Sequence, residues 1–147
     1  MSWSNRYIGT PWAEFGRSAA GVDCWGLACI IYAEELGISL PDYLGYGSVA
    51  ELDEINALVD GATASPLWLP VDGPAIAFDI ALFRRGRFSS HVGIVVRHGL
   101  MIHVAAHDCA KLESYRGGVW GARLRGHWRH SSRAIERPVQ IVSEAAR

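Results

Sequence analysis

The chain has little cysteine. Three residues of 147, Cys24, Cys29 and Cys109, make an odd count with no Cys-x-x-Cys pair. That spacing argues against a disulfide framework and against a structural zinc site. Net charge is also scarce, a formal −1, so the basic footprint expected of a partner for nucleic acid or anionic lipid is missing. No apolar run is long enough to span a bilayer, which predicts no membrane insertion. The opening Met1-Ser2-Trp3-Ser4-Asn5-Arg6 lacks the apolar stretch of a secretory signal, and the expectation is synthesis and folding in a cytoplasm. Internal repeats and low-complexity segments are absent too. What the chain does have is apolar residues, half of the total, at a length suited to one domain over residues 1–147 with a core at about 7–142.

Apolar spacing predicts a helix from Cys24 to Leu36, stopped by Gly37 and capped by Asp23. A Ser-x-x-Glu start at Ser48 predicts a second helix to Asp60. Pro66, Pro70 and Pro74 then mark a long loop. After it come β-branched runs: strands at Asp79–Arg84, His91–His98, Leu100–Ala105 and Lys111–Tyr115, with a terminal edge strand over Arg133–Val142. The His91 run is apolar throughout and reads as a central strand. Helices first and strands after predict an α+β fold on a mainly antiparallel sheet.

Chemistry enters at Gly21-Val22-Asp23-Cys24-Trp25-Gly26-Leu27. A thiol is a poor nucleophile until its pKa is lowered, and a helix start supplies partial positive charge for that. A base is also needed. His91 and His103 fall on adjacent strands of a hairpin turning near His98 and Gly99, where they can share one face as a base and its orienting partner. Taken singly, a cysteine at a helix start is a packing residue and a strand histidine a structural one; the joint pattern favours catalysis. Cys29, mid-helix among aliphatics, reads as buried and inert, and Cys109 sits in a polar loop. His103 and His107 would suit a metal pair only on a helix, and their context is strand and loop. The six tryptophans read as core and interface anchors, and Trp120 and Trp128 lie in a segment rich in Gly and Arg suited to docking on a partner.

Three motifs together resemble the NlpC-type cell-wall cysteine peptidases: Asp23-Cys24-Trp25-Gly26-Leu27, His91-Val92-Gly93-Ile94, and Ile102-His103. Tyr7-Ile8-Gly9-Thr10-Pro11-Trp12 is similar to the family's opening segment. The resemblance implies a papain-like α+β domain that needs no cofactor and no metal. Cys24 would be the nucleophile, His91 the base and His103 its orienting partner, with the Cys24 backbone N–H in the oxyanion hole. The implied substrate is the peptidoglycan stem peptide, typically cut between a γ-D-glutamyl residue and a diamino acid. Trp25 stands where these enzymes usually carry Ser, and Trp12 where they carry Tyr. Asp23, Trp12 and Trp25 are the expected substrate contacts, in a pocket narrower and less polar than usual.

Pro11-Trp12, the Cys24 motif and Leu40-Pro41-Asp42-Tyr43 are together similar to a branch encoded among tail genes of phages and gene transfer agents. That likeness implies tail or baseplate hub proteins as partners, and action at the cell wall from a phage-like particle. Two further readings share the scaffold: an inactive tail-tip protein that keeps the fold, and an acyltransferase working through the same acyl-enzyme.

Overall fold

The structure is a computed structural model that describes residues 2–41, 67–84 and 90–133. The helix expected at Ser48–Asp60 lies outside the described residues, as does the expected terminal strand beyond Arg133, which itself closes a short 3-10 turn.

Helix α1 runs Cys24–Ile31, and Asp23 caps it as expected. The extended Asp23 backbone lets its carboxylate accept the Gly26 N–H at 2.7 Å, one of the first-turn donors that a helix cannot satisfy itself. Gly26 is required by packing. A Cβ there would collide with the Gly16 carbonyl oxygen, so the helix lies backbone to backbone on the hairpin of β1 (Arg17–Ser18) and β2 (Gly21–Val22). The expected helix does reach Leu36, but its last turn, Tyr32–Leu36, is a widened π turn closed by Gly37 at φ 67°. In that turn Glu34 and Glu35 both accept from the Tyr7 hydroxyl, at 2.9 and 2.7 Å.

Six strands form one antiparallel sheet in the order β3-β8-β4-β5-β6-β7. They are β3 (Trp68–Pro70), β4 (Ile80–Arg84), β5 (Ser90–Arg97), β6 (Leu100–His103), β7 (Lys111–Ser114) and β8 (Leu124–His130). The strand expected to be central, β5, has a partner on both sides. Two strands of this sheet are not legible in the sequence. Pro70 ends β3 rather than sitting in a loop, and β8 inserts between β3 and β4.

Alternation along the strands sorts side chains into two faces. Ile80, Leu82, Val92, Ile94 and Ile102 join Trp25, Leu27, Ala28 and Ile31 of α1 in one cluster. Ala81, Phe83, Val95 and Met101 form the other, with Trp120 against it from helix α2 (Gly118–Arg123). Trp128 is 8% exposed and belongs to the first cluster, so of the two anchor roles it takes the one in the core.

Asp79 and Arg129 cross this core. Arg129 Nε and Nη2 donate to the two Asp79 carboxylate oxygens at 2.8 Å each, with the aspartate wholly buried. Removing one partner leaves an unmatched buried charge. Asp79→Ala should therefore cost about 3–5 kcal/mol, seen as a lower urea midpoint. Replacing both, Asp79→Leu with Arg129→Met, should recover most of the loss. An unchanged midpoint in the single variant would mean the pair is solvated in solution.

Candidate active site

His91 opens the apolar part of β5 opposite Phe83 of β4 and is wholly buried. His103 ends β6 and is 1% exposed. The strand register brings them to one face, with His91 Nε2 and His103 Nδ1 2.8 Å apart. Gly93 makes room on that face, because a Cβ there would strike the Met101 side chain. The far nitrogen of His103, Nε2, is 2.7 Å from Glu113 Oε1 on β7. No motif in the sequence singles out Glu113. The signal available was its place on the predicted Lys111–Tyr115 strand, two residues from the position that pairs with His103.

This chain of three groups fixes the protons. A carboxylate only accepts, so His103 Nε2 carries the hydrogen and donates to Glu113. His103 Nδ1 is then an acceptor, and the bond from His91 requires the proton on His91 Nε2. The lone pair of a neutral His91 is thereby assigned to Nδ1. Burial lowers the His103 pKa, opposed by the hydrogen bond and charge of Glu113, so His103 sits in the relay as a neutral imidazole. Trp120 covers the pair: its ring stacks on His91 at 4.7 Å and 29°, and meets His103 edge-on at 5.1 Å. Its ring is therefore engaged with both histidines.

Cys24 is half-buried at the first position of α1 and packs against the cluster that contains Val92, the neighbour of His91. Helix α1 itself packs on β5. A backbone clasp holds the two halves of the site together. Gly9 N–H donates to Ala110 O at 2.8 Å, Ala110 N–H to Thr10 O at 2.8 Å, and Trp12 N–H to Asp108 O at 3.0 Å. From the other edge of the same segment, Val22 N–H donates to Pro11 O at 2.9 Å and Ala13 N–H to Val22 O at 3.0 Å. The loop leaving His103 and the residues leading into Cys24 are thus bonded to one extended segment.

The expected substrate contacts are placed differently from one another. Trp12 is half-buried in the clasp, its ring 4.6 Å from that of His107. Asp23 is engaged by the Gly26 and Phe15 N–H groups and by an Arg17 ion pair at 2.7 Å, so an amine would have to compete with a guanidinium. Trp25 is 1% exposed, and its Nε1 donates to Pro41 O at 2.7 Å. That burial leaves its ring no open face for a ligand; any influence on a pocket passes through packing. Cys29 is half-buried rather than fully buried, and Cys109 is exposed. His107 lies in a turn at φ 66°, not on a helix with His103.

The sequence model of the NlpC/P60 family matches residues 9–129, most of the chain. The chain belongs to the NlpC/P60 family. It is 27% identical over 128 residues to the probable endopeptidase p60 of Listeria welshimeri, and 28% identical to that of Listeria innocua. In both cases 86% of this chain is covered, and it spans only 21% and 23% of those relatives' length. Among solved structures it is similar to the NlpC/p60 domain of the peptidoglycan hydrolase SagA, at TM-score 0.56 and 22% identity, covering 85% of this chain and 90% of that one. An NlpC/P60 family protein of Bacillus cereus aligns at TM-score 0.61 and 23% identity, over 86% of this chain and 37% of that one. These neighbours carry the same α+β architecture, as the sequence led one to expect.

This NlpC/P60 chain buries His103, His127 and His130, and burial is the first cause of a lowered pKa in each. Their folded values lie below the ordinary 6.5, so the unfolded chain binds protons first as pH falls. Stability should be full above about pH 6.5 and decline as pH drops through that value toward the folded pKa values. Urea midpoints at pH 8, 6.5 and 5 check this, and a midpoint that rises on acidification would reverse the sign.

Proposed function

We propose that this chain is a cysteine peptidase that hydrolyses amide bonds in peptidoglycan stem peptides, with Cys24 as nucleophile, His91 as base and His103 as its orienting partner. The observation that carries the reading is the His91–His103–Glu113 relay, which assigns the His91 lone pair to Nδ1. Family membership and the likeness to p60 endopeptidases support the substrate class.

In this reading His91 Nδ1 takes the proton from Cys24 Sγ, and the helix start favours the thiolate. The thiolate attacks the amide carbonyl carbon. The oxyanion accepts from the Cys24 backbone N–H, a first-turn donor that the helix itself does not use. His91, now imidazolium, returns its proton to the leaving nitrogen as the C–N bond breaks, leaving a thioester. Water then gives a proton to His91 and attacks the thioester carbonyl; the acid is released as the C–S bond breaks, and His91 returns that proton to Sγ, restoring the thiol. Glu113 acts through His103 and is a positioning residue. Trp12, half-buried in the clasp beside the helix start, is the substrate contact the geometry favours; Asp23 would take part only by exchanging Arg17 for an amine.

We also propose that the enzyme works from a phage-like tail, bound to tail or baseplate hub proteins and delivered to the wall. The likeness of Pro11-Trp12, the Cys24 motif and the 40–43 segment to that branch is what supports it. Co-purification of the chain with tail particles tests it.

Cys24→Ala and His91→Ala should each lower kcat on isolated peptidoglycan by several orders of magnitude, with the far-ultraviolet spectrum unchanged. His103→Asn should keep measurable activity, since an amide oxygen can accept from His91 Nε2. Mass analysis of the released fragments reads all three. Full activity in Cys24→Ala would end the cysteine reading, and a dead His103→Asn beside an active His91→Ala would exchange the two roles.

A further inference from the structure

Arg84, Arg123 and Arg125 converge on one concavity of about 370 Å³, walled otherwise by Ala122 and Leu124. They arrive from three elements: the end of β4, the last turn of α2 and the start of β8. Among the described residues none of the three is ion-paired with a carboxylate, whereas Arg6, Arg17 and Arg129 are matched to Glu35, Asp23 and Asp79. The chain as a whole is close to neutral, so this is a local concentration and not a generally basic surface. Like charges sharing a concavity repel, and an anion held between them relieves that repulsion.

The cluster lies one ring from the relay. The Arg123 guanidinium is 5.9 Å from the centroid of Trp120, and the same ring stacks on His91 at 4.7 Å. Arg84 follows Phe83, the residue paired with His91, and is itself paired with Ser90. Cation–π contact with Trp120 restrains Arg123 before any ligand arrives.

We propose that Arg84, Arg123 and Arg125 form a subsite that holds a free carboxylate of the peptide substrate beside the His91 imidazole. The inference rests on the peptidase reading and names what that site recognises. A guanidinium fork matches a carboxylate with two parallel hydrogen bonds, which a lysine cannot do. The substrate class supplies the partner, because a γ-linked glutamyl residue leaves its own α-carboxylate free. Recognition by charge also fits a pocket that has lost the hydroxyls of the usual Ser and Tyr.

The test compares one synthetic stem peptide with free carboxylates against the same peptide carrying carboxamides. Calorimetry on the Cys24→Ala protein measures binding without turnover, and wild-type kcat/KM measures its consequence. The free acid should bind about tenfold or more tightly than the amide, a preference weakened by salt. The variant Arg84→Gln/Arg123→Gln/Arg125→Gln, changed only at exposed side chains, should bring the ratio close to one while alkylation of Cys24 by iodoacetamide proceeds at the wild-type rate. Equal binding of acid and amide to the unmodified cluster, or an undiminished ratio in the triple variant, overturns the subsite. Tighter binding of poly(glycerol phosphate) than of the free-acid peptide also overturns it, assigning the arginines to an anionic wall polymer. Failure of the peptidase reading looks different: hydrolysis then survives Cys24→Ala whatever the binding ratio.

Discussion

The hydrogen bond between His91 Nε2 and His103 Nδ1 forms only when β5 and β6 pair in one register. A slip by a single residue would carry every side chain of β5 to the opposite face. Val92 and Ile94 would then leave α1, and His91 would be driven into the aliphatic cluster. Burial of the apolar face therefore holds the histidines in place. Ile94 opposite Ile102 anchors the register on the α1 side, and Gly93 beneath Met101 anchors it on the other. Chemistry and packing are read off the same pleat.

The face away from α1 is unusual in what it buries. Besides the His91–His103 pair it holds Tyr115, whose hydroxyl lies 2.8 Å from His127 Nε2. The Asp79–Arg129 pair is buried in the same sheet. Each group has a partner, which is the condition on which polar groups enter a core at modest cost. Such pairs add little net stability but are intolerant of substitution on one side. They also discriminate against alternative strand pairings, since a shifted sheet would strand several of them at once. Trp120 completes this face by closing over the histidines and keeping water from their hydrogen bond.

This explains what the sequence made legible. Strands β4 to β6 announced themselves because their inward positions facing α1 are aliphatic, and α1 did so through its spacing and its Asp cap. Strand β8, Leu-Arg-Gly-His-Trp-Arg-His, has the period of a strand but places His127 and Arg129 at buried positions. A reading by hydrophobicity sees a polar loop there, because burial of those residues depends on Tyr115 and Asp79, distant in sequence. Strand β3 was hidden for a related reason: it is three residues long, ends in a proline and exists through pairing with β8. In the candidate site, motif spacing alone nominated Cys24, His91 and His103. It could not reveal Glu113, whose relation to His103 is made by the β6–β7 register, or Trp120, whose contact is made by α2 folding over the sheet.

On the proposed mechanism, Glu113 answers a problem that an orienting histidine creates. An asparagine or glutamine in that position has an oxygen that can only accept, so it selects the proton-bearing nitrogen of its neighbour by itself. A histidine has two tautomers, and with the proton on Nδ1 it would donate toward His91 Nε2 and leave the lone pair of His91 on the wrong nitrogen. Something outside the pair has to choose. A carboxylate at 2.7 Å from Nε2 does so, because it has no hydrogen to offer and draws the imidazole proton to its own side. Burial holds the His103 pKa down, so its ring stays neutral beside the half-exposed Glu113. A histidine in the orienting position is thus incomplete without a third acceptor, and in this chain the strand beside it provides one.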